Sequence, residues 1–418
     1  MKQLARRKKL RSGETLWTAH TPGGIAATAR LGHQFYDLVI LGGGVSGALA
    51  AERLSRRGDR KILLIDRRLP ASGSTSASTA LIQWEIDEPL TVLSRKVGAR
   101  VARQCYQASY AAVASLMRLV RSQQIECDMV KRSSLLIAGN ALSGAALRRE
   151  AAARRRAGLP CQMLATEELQ AIYDFDRDGG ILCSGNCELD PRRLTLSLLK
   201  LVKQRGVEMR WQEEALVLEP AQAGVFITMS DGSVLAARRV IAATGYEALP
   251  QLPKSSYDLI STWALATKPV PPDCLWKNRL LVWEASDPYL YFRTTPDNRI
   301  IVGGEDEDFY DPRRRDAKTA QKTRRILAKL RKLLPGVDLE VDYQWAGTFA
   351  ASPTGLPVIG EVAELPNVFS ILGAGGNGIT FSVIAADMAE AWLADKSHPL
   401  TPVLAPGAAN KKKKGKKS

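Results

Sequence analysis

The chain has 418 residues, of which 45% are hydrophobic and 24% charged, so it can bury a core for two domains or one elaborate α/β unit. Its formal net charge of +16 would favour a nucleic-acid partner if the charge were spread over the fold. Residues 1–36 and the tail 411–417 carry +6 each, however, which leaves only +4 for the remainder. The sequence therefore predicts a basic N-terminal arm (1–35), a disordered basic tail (401–418) and no nucleic-acid partner.

Membrane, export and metal functions are also disfavoured. No stretch approaches the roughly 18 apolar residues of a membrane span. The N-terminal "ARRKKL" is followed by polar residues where an export signal needs an apolar region. The six cysteines are scattered and the three histidines lie near the ends, so neither a disulfide framework nor a metal site is predicted. We expect a cytoplasmic protein with reduced thiols.

The hydrophobic pattern alternates between strands and helices along the chain. It predicts a strand–turn–helix–strand unit over about 36–66, a Ser/Thr-rich loop at 71–80, and helices at 94–122, 141–157 and 194–206. It then predicts strands near 207–211, 214–219, 225–229 and 233–244, a β-rich region at 257–303, a helix at 316–334, and a second strand–Gly loop–helix at 368–395. This order is typical of an α/β fold with inserted β-meanders.

The first Gly-rich loop carries the clearest chemical signal. Gly42, Gly44 and Gly47 fit the G-x-G-x-x-G pattern, with an apolar strand before it and a helix after it. Such glycines let backbone N–H groups and a helix N-terminus approach a pyrophosphate. Asp66 ends the second strand, where a carboxylate accepts hydrogen bonds from a ribose diol. The loop therefore predicts a dinucleotide site.

Several further segments resemble one family. The segments "YDLVILGGGVSGALAAERLSRRGDRKILLIDRR", "GSTSASTALIQWEID", "ATGYE", "YLYFRTTPDNRIIVGGEDEDF" and "SPTGLPVIGEVAELPNVFSILGAGGNGITF" occur in that order. The chain resembles the FAD-dependent oxidoreductases of the D-amino-acid oxidase superfamily from about residue 36 to 395, with similarity to glycine oxidase and γ-glutamylputrescine oxidases. The resemblance implies a discontinuous Rossmann-like FAD-binding domain (36–95, 186–255 and 342–400) and a β-sheet-rich substrate domain (96–185 and 256–341).

The resemblance also implies which residues hold the FAD. In the family, the first loop and the Ser/Thr-rich loop surround the pyrophosphate and ribityl chain, and the last Gly-rich loop lies against the flavin pyrimidine. The implied cofactor residues are Gly42, Gly44, Val45, Ser46, Gly47, Asp66, Arg67, Ser74, Thr75, Ser76, Ser78, Thr79, Ala215, Thr244, Gly245, Gly375, Gly376, Asn377, Gly378 and Ile379. One pyrophosphate needs only one helix N-terminus, so the second Gly loop favours FAD over NAD.

The candidates for the substrate site are Gln83, Tyr291, Arg293 and Trp345. Gln83 follows the Ser/Thr-rich loop, and Tyr289, Tyr291 and Arg293 alternate along a predicted strand whose sheet covers the substrate in the resembled family. Trp345 is a candidate aromatic wall. An ordinary packing role for Gln83 and a structural ion pair for Arg293 are the alternatives.

The sequence departs from the resembled amino-acid oxidases at one position. Those enzymes carry a carboxylate-binding Arg shortly before the segment that resembles "SPTGLPVIG", whereas this chain has Phe349 and Ala350 there. Because Phe cannot replace a bidentate Arg, an amine fits better than a simple α-amino acid, although a carboxylate bound by Arg293 stays open.

We therefore expect hydride transfer to FAD from the C–N bond of a small amine or amino-acid-like substrate, with O₂ or another acceptor reoxidising the flavin. The alternatives are C–O oxidation of a 2-hydroxy acid or polyol, and a tRNA-associated flavoprotein that uses its basic ends.

Overall fold

The computed structural model describes residues 4–29, 32–373 and 375–408. Its helices are α1 (Leu16–His20), α2 (Val45–Ser55), α3 (Leu90–Val97), α4 (Ala99–Ser122), α5 (Gly144–Arg156), α6 (Thr166–Tyr173), α7 (Pro191–Gln204), α8 (Pro312–Ala317), α9 (Thr319–Leu333), α10 (Gly378–Leu393) and α11 (Thr401–Leu404). None of the helices in these ranges is both long and apolar enough to cross a bilayer.

The strands of the same residues are β1 (Arg11–Ser12), β2 (Phe35–Leu41), β3 (Ile62–Asp66), β4 (Leu81–Ile82), β5 (Val130–Ile137), β6 (Cys161–Leu164), β7 (Gly180–Glu188), β8 (Glu208–Trp211), β9 (Ala215–Ala221), β10 (Gly224–Met229), β11 (Val234–Ala242), β12 (Asp258–Thr267), β13 (Leu281–Glu284), β14 (Leu290–Thr294), β15 (Ile300–Glu307), β16 (Val341–Ala351), β17 (Val358–Val362) and β18 (Leu365–Leu372).

The first sheet builds the nucleotide side of the molecule. Its order is β17-β18-β11-β2-β3-β8, and β10 joins β11 to β9. The pairs from β18 through β8 are parallel, as in a Rossmann-like sheet. Leu38 and Ile40 of β2 pack with the helix layer, whereas Val39 and Leu41 pack on the opposite face with β10 and β11. This alternation buries β2 on both faces, which explains its unbroken apolar run.

The second sheet faces the first across a cleft. Its order is β1-β16-β12-β15-β14-β13-β5-β7-β4, and β6 joins β7. The fold is therefore α/β with two large sheets, as the sequence predicts. Helix α9 buries Ile326 and Leu330 in a separate core beneath the second sheet.

Three predicted boundaries differ from the structure. The segment 342–351, assigned to the FAD domain, belongs to β16 and pairs with β12 in the second sheet. The helix predicted over 94–122 is divided at Gly98, whose φ of 92° lies outside helical geometry, into α3 and α4. Residues 401–408, assigned to a disordered tail, contain α11 with Leu404 buried, because this turn packs against β17. The rest of the predicted tail, 409–418, lies outside the described residues.

The predicted basic arm is also ordered over much of its length. Arg11 and Ser12 pair with Gly347 and Ala346 at the edge of the second sheet. The short helix α1 follows, with Leu16 and Trp17 buried. Backbone pairing and these apolar side chains outweigh the polar composition from which the sequence predicted a loop.

Candidate cofactor and substrate site

A long cleft between the two sheets holds the predicted cofactor residues. Counted with its open mouth it encloses about 1920 Å³. One end lies over the carboxyl ends of the parallel strands β2 and β3, which is where open α/β sheets bind ligands. The other end lies between the Gly-rich turn before α10 and strand β14. We call these the nucleotide end and the reactive end.

The first Gly-rich loop turns tightly from β2 into α2. Gly42 has a φ of 121°, and a Cβ there would lie 2.2 Å from the carbonyl oxygen of Ala243. A Cβ on Gly47 would lie 1.9 Å from the carbonyl oxygen of Gly42, so this glycine permits close helix–strand packing. Helix α2 begins after Gly44 without a side-chain cap, which leaves its N-terminus open to an anion.

Asp66 stands beside this loop at the end of β3. Its carboxylate accepts hydrogen bonds of 2.7 Å from the N–H groups of Gly43 and Arg68. Burial raises the pKa of Asp66, and these N–H groups and the neighbouring arginines oppose the rise. Arg67 also lines the cleft, but its guanidinium is already paired with Glu214 and Glu247. Asp66 is therefore the better placed of the two for a ribose diol.

The Ser/Thr-rich loop forms one wall of the cleft through a 3₁₀ turn, Ser74–Ala77. The Thr75 hydroxyl accepts a hydrogen bond of 3.0 Å from the N–H of Val45, which ties the two loops together. Ser76 points away, because its hydroxyl donates to the carbonyl oxygen of Ala71 at 2.5 Å. The Ser74 hydroxyl lines the cleft, is buried and has no partner among the described residues.

The second Gly-rich loop closes the reactive end. Gly375 donates its N–H to the carbonyl oxygen of Ala350 at 2.8 Å, and Gly376 donates to the carboxylate of Asp87 at 2.6 Å. Asn377 precedes α10 without capping it through its side chain, so this N-terminus also opens onto the cleft. The Asn377 amide instead donates to the carbonyl oxygen of Glu85 at 2.8 Å.

The cleft brings together nearly all of the predicted cofactor residues. Those that line it are Gly42, Gly44, Val45, Ser46, Asp66, Arg67, Ser74, Thr75, Ser78, Thr79, Ala215, Thr244, Gly245, Gly375, Gly376, Asn377, Gly378 and Ile379. Gly47 and Ser76 do not line it and support the loops from behind. Gln83 and Tyr291 of the predicted substrate residues line the reactive end.

Arg293 and Trp345 do not line the cleft, which corrects their predicted substrate contacts. The Arg293 guanidinium is buried and donates to the carbonyl oxygens of Thr79, Thr294 and Leu189 at 2.7, 3.0 and 2.9 Å. The Trp345 indole donates to the carbonyl oxygen of Ala77 at 2.9 Å. Both side chains therefore hold the Ser/Thr-rich loop rather than face a substrate.

Sequence reasoning missed several residues of the reactive end: Asp87, Tyr246, Thr262 and Trp283 all line it. Asp87 was detectable, because it lies four residues after Gln83 on the same segment. Trp283 was not, since β13 reaches the cleft only through its pairing with β5 and β14.

The residues present fit FAD. Two helix N-termini whose own N-cap residues, Gly44 and Asn377, make no side-chain cap open on one continuous cleft, which suits a pyrophosphate at one end and a flavin pyrimidine at the other. The buried Gln83 amide nitrogen and the Ser74 hydroxyl also line it without partners among the described residues. In that same part of the chain, no group of three or more His, Cys, Asp or Glu side chains is arranged to hold a metal ion.

A dinucleotide loop and a second anion-binding loop on one cleft define the class of flavin-dependent enzymes. The family model for FAD-dependent oxidoreductases, the DAO family, matches residues 37–392. The chain therefore belongs to this family, and it is an FAD-dependent oxidoreductase.

The chain is similar to proteins that cover almost its whole fold. A hydrogen cyanide synthase subunit of Pseudomonas aeruginosa is 24% identical over 411 residues, which span 87% of this chain and 94% of that protein. Glycine oxidase from Geobacillus kaustophilus superposes with a TM-score of 0.74 at 20% identity, over 89% of this chain and 98% of that one. L-proline dehydrogenase from P. horikoshii gives 0.75 at 19% identity, over 90% and 98%. At these identities the two solved structures show the shared fold alone.

Proposed function

We propose that this enzyme oxidises the carbon–nitrogen bond of a small amine or amino-acid-like substrate at the reactive end of the cleft. FAD held in this cleft would supply the acceptor for the hydride that leaves the carbon bearing the nitrogen. The nitrogen loses a proton, the product is an imine, and water hydrolyses it to a carbonyl compound and an amine or ammonia. O₂ or another acceptor then reoxidises the cofactor.

One observation favours C–N over C–O oxidation. No His and no Lys is present among the described residues that line the cleft. An alcohol must lose a weakly acidic hydroxyl proton as its hydride leaves, which usually needs a positioned strong base. An amine in its neutral form already has the lone pair that drives hydride transfer. The carboxylate that lines the reactive end, Asp87, is a weak base, so the lining suits an amine better than a 2-hydroxy acid or polyol.

The remaining side chains of the reactive end have positioning roles. Tyr289 and Tyr291 stand side by side, with ring centroids 5.3 Å apart. Burial raises the pKa of both phenols, so each stays neutral at physiological pH, and the Tyr289 hydroxyl is engaged by the Asp306 carboxylate. Gln83 lies across from them with an unpartnered amide nitrogen. These groups would orient a small polar substrate and exclude bulk water.

Anaerobic reduction of the holoenzyme tests this proposal. Two panels are compared: small amines and amino acids in one, and 2-hydroxy acids and polyols in the other. We expect at least one member of the first panel to bleach the flavin and to yield the carbonyl product. Bleaching by the second panel alone would contradict C–N oxidation and favour the C–O alternative.

A further inference from the structure

The charged side chains that line the cleft are divided unevenly between its two ends. The nucleotide end contains Asp66, Arg67, Arg68, Glu213, Glu214 and Glu247. There the two adjacent arginines are paired with Glu214 and Glu247. At the reactive end, Asp87 is the one charged residue that lines the cleft in the described part of the chain. The reactive end is therefore acidic, with no cationic side chain lining it in the described part of the chain.

Asp87 faces the cleft without a compensating cation. Its carboxylate is accessible from the cleft and accepts a hydrogen bond of 2.6 Å from the N–H of Gly376. Within the described residues no Lys, Arg or His forms an ion pair with it. Desolvation by the surrounding cleft walls raises the pKa of Asp87 to about 6, and the neighbouring Glu88 carboxylate contributes to the rise. At neutral pH this is a largely ionised carboxylate that lacks a partner.

A second carboxylate lies behind the tyrosine wall. Asp306 interacts with the hydroxyl of Tyr289, and its Oδ1 is buried with no hydrogen-bond partner in the described structure. Lys322 lies nearby, but its ammonium is engaged by Glu305 and, at 2.9 Å, by Glu307. Burial raises the pKa of Asp306 to about 7, and the negative charge of Asp87 adds to the rise. The two carboxylates therefore repel each other across the reactive end.

An independent group at this end also lacks a hydrogen-bond donor. Asn377 is 6% exposed and lines the cleft, and its Oδ1 has no partner among the described residues. Its amide nitrogen is fixed by the carbonyl oxygens of Glu85 and Gln83 at 2.8 and 3.3 Å, so Oδ1 is the atom left over. Because that oxygen is buried, the carboxylate that this end exposes to the cleft is that of Asp87, and Tyr289, Tyr291 and Trp283 line the same end.

Carboxylates in a cleft with no cation are costly, and a cationic ligand removes that cost. Aromatic faces add to the attraction for an ammonium group. The isoalloxazine ring brings no positive charge, so a cationic substrate is the group that would neutralise Asp87.

We propose that the substrate is an amine that carries no carboxylate and enters as an alkylammonium ion, with Asp87 as its ion-pair partner and Asp306 reinforcing the site through Tyr289. The nitrogen then gives one proton to the Asp87 carboxylate: an N–H bond breaks and an O–H bond forms before the carbon is oxidised. This inference rests on the proposed C–N oxidation and names its substrate class. An α-amino acid is disfavoured because its carboxylate would meet Asp87 with no cation to offset the repulsion.

The test uses pairs of compounds that differ only in the carboxylate. Phenylalanine is compared with phenethylamine, leucine with 3-methylbutylamine, and ornithine with 1,4-diaminobutane. Each is added to the holoenzyme, first to record the perturbation of the flavin spectrum and then anaerobically to record bleaching. We expect the amines to bind and bleach the flavin, and their amino-acid counterparts to do neither.

Two variants assign the effect to Asp87. Asp87→Asn keeps an acceptor for the Gly376 N–H, so it should retain FAD but bind amines about 10- to 100-fold more weakly. Glu88→Gln is the matched control, because Glu88 is the next residue, pairs with Lys96 at 2.7 Å and does not line the cleft. It should bind amines like the unaltered enzyme.

The remaining outcomes contradict the substrate class, the C–N oxidation or the role of Asp87. If amino acids bleach the flavin and their amines do not, the inference fails while C–N oxidation stands. If neither class binds, the inference fails, and bleaching by 2-hydroxy acids would then remove the proposed function as well. Equal loss of amine binding in both variants would show a general charge effect and not an ion pair with Asp87.

Discussion

Arg293 shows how a buried charged residue can imitate a substrate contact in the sequence. It shares a face of β14 with Tyr291, which lines the cleft, but its longer side chain turns to the backbone behind the Ser/Thr-rich loop. Glu188 lies 3.9 Å away, and the Trp17 ring 5.2 Å from the guanidinium carbon. The residue joins the second sheet to the Ser/Thr-rich loop and to the N-terminal segment, and that role is structural.

Arg293→Met should therefore reduce stability and leave substrate affinity intact. The change leaves Glu188 with one fewer cation and several buried carbonyl oxygens unpaired, so we expect a loss of about 3 kcal/mol in the free energy of unfolding. Denaturant unfolding and KM for the best amine measure the two effects separately. A large rise in KM with unchanged stability would return Arg293 to the substrate site.

Asp306 makes stability depend on pH in the direction opposite to an ordinary salt-bridged carboxylate. Burial raises its pKa in the folded chain to about 7, above that of the unfolded chain. Folding therefore favours the protonated form of Asp306. As a result, the free energy of unfolding falls as the pH rises from about 4 through about 7. Asp306→Asn should raise the free energy of unfolding at pH 8 by about 1–2 kcal/mol and change it little at pH 5. A thermal-denaturation series at both pH values decides this, and an equal effect at both would contradict the raised pKa.

At the scale of elements, the N-terminal segment lies outside the match to the family model. It precedes residue 37, where the family model begins, yet Leu4, Ala5 and Leu10 line the nucleotide end of the cleft. The carbonyl oxygens of Ala5 and Lys8 accept hydrogen bonds from Arg67 and Arg68 at 3.1 and 3.0 Å. The segment therefore lies along the cofactor site and not free in solvent.

Removing residues 1–13 should loosen the cofactor while leaving the two sheets folded. The loss of one buried Leu contact, worth about 1.5–3 kcal/mol, corresponds to roughly tenfold or faster release of FAD. Stopped-flow recovery of flavin fluorescence measures the release, and circular dichroism confirms the fold. An unchanged release rate would mean that the segment stabilises the protein without contacting the cofactor.

Among the elements, those that are contiguous in the chain are the ones that the sequence predicts best. The first Gly-rich loop, α2 and β3 are contiguous, and their pattern was sufficient because pyrophosphate binding depends on local backbone geometry. The break at Gly98 was missed because the apolar spacing continues through it from α3 into α4. The edge pairing of β1 with β16 was missed because its partner lies far away in the sequence.

For the whole molecule, most residues that line the nucleotide end of the cleft were predictable, and the wall of the reactive end was not. The wall combines β12, β13 and β14 with the loop that contains Asp87, and only the pairing of the second sheet brings them together. The charge pattern likewise depends on the fold, since Lys9 of the basic arm pairs with Asp316 at 2.8 Å. That pairing reduces the free positive charge on which a tRNA-associated role would depend.

The visible absorption spectrum of the purified protein, recorded before and after acid precipitation, tests the central claim most directly. We predict the two bands of oxidised flavin in the native protein and their transfer to the supernatant with the released FAD, because no Cys or His lines the cleft among the described residues to form a covalent link. A colourless protein that takes up no added FAD would contradict the account.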